Sequence, residues 1–503
     1  MNKNKKEKNY LVIFFLNFII ITLCYSVYIF NRHYSADTYL SVLDLNNVAT
    51  TNLNNGRVFH YLIYSFFDLI NFNILDYQIL TQLLLTFVIA WGTTLIFIKF
   101  LKLNNQKNVF KSLIIDVGLL LLFLNPNFLF GWYYFPETCL GASISMFVTF
   151  LSINYFCNQN LQIKNIFKSF FWLFLAIGMY QVYIEIYVGI CLTYVLCKHN
   201  VKFNKEALKE YLYIVLGGGL ICLLNIFLMY ILTSIDLVSK VERSATLSFE
   251  LILNNIKTIL NNQICIWLSM DGLLPNFYLI LFLIIITLAC FLGVKISKVS
   301  LNVRDILFFI LNLLTTYAVA FSPNIISGSI YLAPRTYVGF YSIFFMIIIF
   351  GIIYIKDNKI FKSVFYIINI FLIVGIIQLI VIQTNTIISN RFDEAEIQTI
   401  SRKIKEYEVE TGTIINKISY TYDAHRRYGY DGVKYVLYDN NIRAMTHTWG
   451  FENMIKYYID KNINVTEMND GDYYEYFKSQ EWDYFDPDEQ LCFVGSTLYL
   501  VIY

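Results

Sequence analysis

The sequence predicts an all-α polytopic membrane protein with about eleven transmembrane helices and a small C-terminal extracytoplasmic α/β domain. Hydrophobic residues make up 57% of the 503 residues and charged residues only 15%, whereas soluble domains carry about 25% charged residues. Apolar runs long enough to cross ~30 Å of hydrocarbon recur as far as residue 388. Residues 391–503 lack such runs and mix short alternating and helical patterns.

The apolar runs predict the positions of the spanning helices. One stretch, residues 169–196, is interpreted as two short helices that meet at Met179-Tyr180-Gln181. Another, residues 57–72, has a polar stripe recurring every three to four residues and predicts a helix lying in the membrane interface. The remaining predicted spans are 10–30, 79–99, 113–130, 138–157, 211–232, 277–294, 306–322, 337–355 and 364–388.

The basic residues predict the orientation of these helices. The predicted internal segments hold 20 of the 38 Lys and Arg residues, and the predicted external loops between helices hold six. Cytoplasmic loops are enriched in Lys and Arg, so the N-terminus is expected inside and the C-terminus outside. We therefore divide the chain into a transmembrane domain, residues 1–390, with an external loop at 31–78 that carries interfacial helices, and an extracytoplasmic domain, residues 391–503.

The C-terminal domain shows strand patterns at residues 417–422 and 498–503 and helical patterns at 394–408 and 451–460. No catalytic spacing is evident in it. Its basic cluster is interpreted as surface or packing residues, the alternative being a contact to an anionic acceptor polymer. The cluster consists of His425, Arg426, Arg427 and His447.

Several classes of site are missing from the sequence. The nine cysteines show no metal-ligand spacing, and no phosphate-loop, dinucleotide-binding or HExxH motif is present. The longest predicted internal loops, 99–111 and 198–210, are too short to build a nucleotide-sugar site. If the chain transfers a sugar, the donor must therefore come from the membrane. No ligand spacing argues for a metal, and the sequence leaves a divalent ion open.

The polar groups that could carry chemistry cluster on the predicted outer side. Asp37 could act as a general base if it reaches the proton of an acceptor hydroxyl; alternatively it caps a helix at 38–48. Glu137 opens a helix, where the helix dipole stabilises an acid. Glu185 lies in a short apolar helix, where an acid faces a cavity or a partner.

Two arginines are candidates for binding a phosphate group, because the planar guanidinium offers bidentate donors. Arg335 follows Pro334 at a predicted external helix start; the alternative is an anchor that reaches lipid headgroups. Arg57 shares one helical face with His60 and could point to the same place. The alternative for that pair is a polar stripe facing headgroups.

The order of five segments resembles the bacterial polytopic glucosyl transferase family, which includes the serotype-converting O-antigen glucosyltransferases. The family usually shows paired acids at the first segment. Here Asp37 is followed by Thr38, so one acid matches, and Asp44 is the second candidate. The segments are SADTY at 35–39, NNGRVFHYLIY at 54–64, FPETCL at 135–140, GMYQVYIEIYVGI at 178–190 and YLAPRTYVGFY at 331–341.

This resemblance implies a GT-C fold in the bacterial cytoplasmic membrane, with an active site at the outer leaflet. Such enzymes move a sugar, typically glucose from undecaprenyl phosphate, to a surface glycan such as O-antigen or teichoic acid. They work beside a carrier-sugar synthase and a small flippase, and no nucleic acid is involved. In that scheme Asp37 deprotonates the acceptor, while Arg335, Arg57 and His60 hold the donor phosphate. The residues implied to line the sugar or acceptor pocket are Asp44, Glu137, Tyr180, Gln181 and Glu185.

Two other functions remain open at this point. A lipid-linked glycan polymerase would use a similar helical scaffold to join repeat units. A glycolipid transporter or flippase without chemistry would place acids near the bilayer midplane and often contain internal repeats. The sequence shows no convincing repeat, and most candidate groups lie at the outer edge.

Overall fold

The computed structural model describes residues 3–104, 109–239, 245, 248–298, 302–424, 426–433, 443–478 and 480–503. Within these residues, five helical stretches are long and apolar enough to cross a membrane, and several shorter apolar helices accompany them. Such helices indicate a membrane protein. The predicted helical region followed by a small α/β region is confirmed, while the number of eleven spans stays a prediction. The five stretches are Ile74–Leu103, Pro136–Phe156, Lys205–Ser234, Tyr278–Ile296 and Asn358–Thr411.

The helices and strands follow one another along the chain, with short 3-10 or π turns between some of them. The N-terminal helices are α1 Lys3–Cys24, α2 Ser26–Phe30, α3 Ala36–Leu43, α4 Leu45–Asn54, α5 Val58–Leu69, α6 Gln78–Asn104, α7 Val109–Leu120, α8 Pro126–Phe128, α9 Cys139–Phe156, α10 Ile163–Met179 and α11 Tyr183–Lys198. The later elements are α12 Lys205–Ser234, α13 Phe249–Trp267, α14 Tyr278–Ile296, α15 Val303–Val319, α16 Ser322–Ile325, α17 Ser342–Tyr354, α18 Asn358–Thr411, β1 Lys417–Tyr422, α19 Thr448–Tyr458, β2 Asn464–Glu467, α20 Asp470–Phe477, α21 Pro487–Gln490, β3 Leu491–Val494 and β4 Thr497–Ile502.

One predicted span is wrong. Residues 113–130 do not form a single helix, because α7 ends at Leu120 and turns follow it. Pro126 has no N–H for a helical hydrogen bond, and the Asn125 side chain accepts the backbone N–H of Phe128 at 2.9 Å, which begins α8 instead. The chain then continues through a buried aromatic turn, Leu129–Tyr133.

The predicted break within residues 169–196 is confirmed. Helix α10 ends at Met179 and α11 begins at Tyr183. Between them Tyr180 is extended, with φ −158° and ψ 124°. This break matters for the site, because it points the Tyr180 and Gln181 side chains at the segment before α5.

Helix α18 is 54 residues long and joins the predicted span at 364–388 to the predicted helix at 394–408. The proposed division at residue 390 therefore falls inside a continuous helix. One face of α18 bonds to the start of the chain. Gln383 accepts the backbone N–H of Tyr28 at 3.2 Å, and the Asn390 side chain makes two hydrogen bonds to the Tyr34 backbone, at 2.8 and 2.9 Å.

We call residues 391–503, in the part that the structure describes, the C-terminal unit. Its sheet has the order β2-β1-β4-β3, with β1 parallel to both neighbours and β3 antiparallel to β4. The predicted strands at 417–422 and 498–503 are confirmed, and the helix predicted at 451–460 corresponds to α19. His425 lies outside the described residues. Its neighbour Arg426 covers the Tyr422 ring at 4.0 Å, and Arg427 pairs with surface carboxylates.

The core of the C-terminal unit includes a residue from far away in the chain. Tyr39 of α3 is buried among the side chains that α18, α19 and the sheet contribute, such as Ile400, Phe451 and Leu498. Helix α3 therefore packs as part of the C-terminal unit, although it directly follows the first apolar segment of the chain.

Candidate active site

The loop between α2 and α3 is held by a buried histidine. His33 Nε2 lies 2.9 Å from the Tyr133 carbonyl oxygen, the Gln78 amide nitrogen lies 2.9 Å from Nδ1, and Tyr28 stacks on the ring at 4.0 Å. Burial lowers the pKa of His33 to about 4, so the ring is neutral at neutral pH. The His33 ring has a structural role, because it fixes the loop against the aromatic turn.

Asp37 lies in the first turn of α3 but does not cap it. Ser35 is the N-cap: its Oγ accepts the Thr38 N–H at 3.2 Å, and Thr38 Oγ1 accepts the Ser35 N–H at 3.0 Å. The alternative of Asp37 as an N-cap is therefore wrong, because this reciprocal capping box already satisfies the helix start. The Asp37 side chain is exposed, and its Oδ1 accepts the indole N–H of Trp449 at 3.0 Å.

A second carboxyl group approaches Asp37 from another segment. Glu137 is buried, and its Oε2 accepts the Thr38 hydroxyl at 2.8 Å. The Tyr64 hydroxyl donates to the Glu137 carbonyl oxygen at 2.6 Å. Because Thr38 directly follows Asp37, this hydrogen bond places the two carboxyl groups in neighbouring positions. The two acids of this site thus come from segments a hundred residues apart, with Thr38 linked to both.

Arg57 is half-buried and faces an aromatic ring. Its guanidinium lies 4.5 Å from the centre of the Tyr180 ring, and Nη1 donates to the Asn52 side chain at 3.3 Å. Within the described part of the chain no carboxylate pairs with Arg57, and its Nε has no hydrogen-bond partner. Burial lowers the pKa of Arg57, Tyr180 opposes that effect, and the nearby charge of Arg335 adds to it.

The backbone before Arg57 is shaped for this position. Gly56 has a φ of +79°, which favours glycine. A Cβ there would lie 2.9 Å from the Gln181 amide nitrogen. That nitrogen donates to the carbonyl oxygens of Asn55 and Gly56 at 3.2 and 3.1 Å. Gln181 therefore holds the backbone just before Arg57 and so positions the Arg57 side chain.

Arg335 stands beside Arg57 on a loop between α16 and α17. Its guanidinium covers the rings of Phe135 and Tyr331, at 5.1 and 5.8 Å from their centres. The Asn324 amide holds the loop by donating to the Thr336 carbonyl and hydroxyl oxygens at 3.1 and 2.9 Å. The two arginines are close enough to repel each other. They form a positive region, framed by aromatic rings, that an anion would neutralise.

The other predicted site residues have structural partners. His60 is buried against Gly141, where a Cβ would lie 2.6 Å from its Nε2. Glu185 is buried and accepts the Gly339 N–H at 2.8 Å, which ties α11 to the loop of Arg335. Asp44 is exposed and caps α4 by accepting the Asn47 N–H at 3.0 Å.

Three site residues were not found from the sequence. Thr38 was noted only as the place where a second acid is missing, and Tyr64 only as part of a polar stripe. Trp449 belongs to the C-terminal unit, where no catalytic spacing was seen. Its one signal is a tryptophan in the turn that begins a helix, HTWGF at 447–451, and this signal is weak.

The site thus combines two carboxyl groups, Asp37 and Glu137, with two guanidinium groups, Arg57 and Arg335, and Arg335 covers the ring of Phe135, two residues before Glu137. An exposed carboxylate can accept a proton from a hydroxyl group, and paired arginines can hold a phosphate. Among the described residues, no group of three His, Cys, Asp or Glu side chains comes together as a metal site would need.

A comparison with protein families identifies the chain. The family described as Glucosyl transferase GtrII matches residues 26–350, well over half of the chain. The match contains both acids and both arginines of the site, and it ends before the C-terminal unit. A search of curated proteins found no match, and neither did a search of solved structures. The match supports glycosyltransferase activity, and the chain belongs to the glucosyl transferase GtrII family.

Proposed function

We propose that the protein transfers a sugar, glucose, from a polyprenyl-phosphate carrier to a cell-surface glycan. One set of contacts within the family-matched region carries this proposal. The Thr38 hydroxyl, next to the exposed Asp37, donates to Glu137, which lies two residues after the Phe135 ring that the Arg335 guanidinium covers. The charge of Arg335 in turn acts on Arg57, which lies against the Tyr180 ring. A transferase of this kind needs a base for the acceptor and a positive region for the carrier phosphate.

In the proposed reaction the acceptor hydroxyl attacks the anomeric carbon of the carried sugar and gives its proton to Asp37. The bond between the anomeric carbon and the phosphate oxygen breaks through an oxocarbenium-like transition state. Polyprenyl phosphate leaves with the bonding electron pair. Arg57 and Arg335 stabilise the negative charge that develops on the leaving phosphate. Because Arg57 has an unpartnered Nε, a bound phosphate oxygen gives this donor an acceptor.

Glu137 has a supporting role in this scheme. Its hydrogen bond from Thr38 ties the first turn of α3 to the start of α9, so the base keeps its place relative to the arginines. Tyr180 and Gln181, at the break between α10 and α11, keep Arg57 in its place in the site. The geometry required for transfer is therefore held by five separate segments of the chain, including the loop of Arg335.

The proposal includes a location. The distribution of Lys and Arg supports an N-terminus on the inner side of the membrane. In a bacterial cytoplasmic membrane, which the family suggests, the site and the C-terminal unit then lie at the outer face. There the donor arrives from the bilayer, after a carrier-sugar synthase and a flippase have made and moved it. The glycan acceptor arrives from the cell envelope.

The test is transfer from synthetic polyprenyl-phosphate glucose to envelope polysaccharide by the purified full-length chain in detergent. We expect Asp37→Asn to lower the rate by about 10²-fold or more, because the general base is lost. Asp44→Asn is the matched control: Asp44 is an exposed helix cap, and asparagine caps equally well. We expect that variant to transfer at the wild-type rate.

Two results would contradict the proposal. An Asp37→Asn variant as active as the wild type removes the proposed base. Wild-type protein that transfers no sugar in detergent, where transport has no meaning, removes the reaction itself. Product length then separates the transferase from the polymerase, since a transferase adds single branches and leaves the polymer length unchanged.

A further inference from the structure

Trp449 connects the C-terminal unit to the proposed base. It lies in the first turn of α19, and its indole nitrogen donates to Asp37 Oδ1 at 3.0 Å. The ring is 46% exposed, whereas Trp482, the other tryptophan of the C-terminal unit, is buried. The His447 ring lies 4.5 Å from the Trp449 ring, tilted by 32°. An exposed tryptophan, with a half-buried histidine packed against its ring, therefore stands directly beside Asp37.

Close packing fixes this arrangement. A Cβ on Gly450, the next residue, would come within 2.3 Å of the Ala444 carbonyl oxygen and 3.0 Å of the Ala36 Cβ. Helices α3 and α19 therefore approach as closely as two backbones allow. Tyr39, two residues after Asp37, is buried in the core of the C-terminal unit. The position of Trp449 relative to Asp37 is thus set by the fold of both segments.

The chemistry of this surface suits a neutral sugar ring. One face of a pyranose carries C–H groups and packs against an aromatic ring, while its hydroxyl groups remain at the edge for polar contacts. The negative charge of Asp37 beside the indole disfavours an anionic group there. The carrier phosphate is instead attracted to Arg57 and Arg335, which have their own aromatic partners.

We propose that Trp449 and His447 form the platform on which the acceptor glycan rests, and that the Trp449 N–H is a positioning group for Asp37. This inference rests on the proposed function and adds a subsite to it, outside the family-matched region. A donor to an ionised carboxylate makes a strong, oriented hydrogen bond. It directs Asp37 toward a hydroxyl group of a sugar lying on the platform.

The experiment uses the full-length protein in nanodiscs and three variants. Trp449→Phe keeps a ring and removes the N–H, Trp449→Ala removes both, and Tyr474→Ala is the control. Tyr474 is a 63% exposed ring on α20 of the same unit. For each protein we would measure the Kd for envelope polysaccharide without donor, and the kcat and acceptor KM of transfer. The melting temperature and the donor affinity serve as checks on the structure.

The two variants at position 449 separate the two roles. Trp449→Ala is expected to raise Kd and acceptor KM about tenfold, which corresponds to a stacking contribution of about 1.4 kcal/mol. Trp449→Phe is expected to keep Kd within about threefold and to lower kcat about tenfold, the effect of losing one oriented hydrogen bond. Tyr474→Ala is expected to match the wild type in all three quantities.

Each outcome bears on one proposal. If the wild type transfers sugar and both Trp449 variants match it, the platform is disproved and the proposed function stands. If the variants lose thermal stability and donor affinity together, Trp449 is only structural and the inference fails. If no protein transfers sugar, but Trp449→Ala alone loses polysaccharide binding, the platform is supported without the reaction. Absence of polysaccharide binding by the wild type would overturn the inference.

Discussion

Arg443 is fully buried and Arg57 is half-buried, and the two arginines differ in the partners they have. Arg443 of the C-terminal unit is fully buried with its counterions. Its Nη2 lies 3.1 Å from Glu396, its Nε 3.8 Å from Asp393, and Nη1 donates to the Tyr503 carbonyl oxygen at 2.8 Å. Arg57 has a tyrosine ring and one amide oxygen, and no carboxylate among the described residues pairs with it.

The pKa values of the two groups show the difference. Burial lowers the pKa of Arg57, and the charge of Arg335 adds to that effect. Burial acts on Arg443 in the same direction, but Tyr430, Glu396 and Asp393 together raise its pKa above the ordinary value. A buried charge is costly unless it is paired. Arg443 therefore stabilises the fold, whereas Arg57 keeps an unpartnered Nε, the donor that the proposed function assigns to the carrier phosphate.

Removing Arg443 is expected to have the largest effect. Arg443→Met leaves Asp393 and Glu396 buried without their counterion, which costs about 3–5 kcal/mol of stability. The measurement is thermal unfolding together with limited proteolysis of the C-terminal unit, for the variant and the wild type. A loss of less than about 1 kcal/mol would mean that the two carboxyl groups do not need Arg443. The inferred role of Arg443 in stability would then be wrong.

Removing Arg57 tests its proposed role in binding the carrier phosphate. Arg57→Gln is expected to lower the transfer rate about 10²-fold, because a group that stabilises transition-state charge is lost. Its stability should stay within about 1 kcal/mol of the wild type, since the variant leaves no counterion unpaired. The measurement is the transfer rate beside the melting temperature. Arg57→Lys keeps the charge but loses the planar fork and should recover only part of the rate.

The control for this series is Arg32→Gln. Arg32 is an exposed arginine in the loop before α3, so it tests whether loss of any outer positive charge slows the reaction. Arg57→Gln with full activity, or Arg32→Gln with equal loss, would show that Arg57 does not bind the carrier phosphate.

The smallest effect on stability is expected for the ion pair of an arginine on the surface, Arg427. Arg427 lies 2.5 Å from Asp483, but the Asp483 side chain is 85% exposed. Exposed ion pairs contribute about 0–1 kcal/mol, so Asp483→Asn should change the unfolding free energy by no more than that and leave transfer unchanged. A larger shift in a denaturation experiment would show that exposure does not separate these arginines as we infer.

The sequence predicted those features that depend on local pattern. The alternation at 417–422 predicted β1, and the polar stripe at 57–72 predicted α5, because burial on one face leaves its period in the sequence. The break near Tyr180 was also predictable. The prediction of a single span at 113–130 was wrong, because an apolar run does not show where Asn125 and Pro126 redirect the backbone.

The site was only partly predictable, for a different reason. Asp37, Arg57 and Arg335 were proposed from residue type and position. The structure joins their segments through the hydrogen bond from Thr38 to Glu137 and the contact of Arg335 with Phe135. The pairing of Asp37 with Trp449 spans 412 residues, and periodicity carries no information about which distant segments meet. The capping box of Ser35 and Thr38 was likewise hidden, because Thr38 takes the place of the expected acid and supplies the contact to Glu137.

Helix α18 has a mechanical consequence. Its 54 residues make a rod about 80 Å long at 1.5 Å per residue. The Gln383 and Asn390 side chains bond this rod to the start of the chain, and the Asp393 side chain bonds it to the backbone of Ala444 before α19. One inserted residue would turn everything beyond it by about 100°. The rod therefore tolerates changes in length only in near-whole turns, because other lengths would rotate the C-terminal unit, and with it Trp449, away from Asp37.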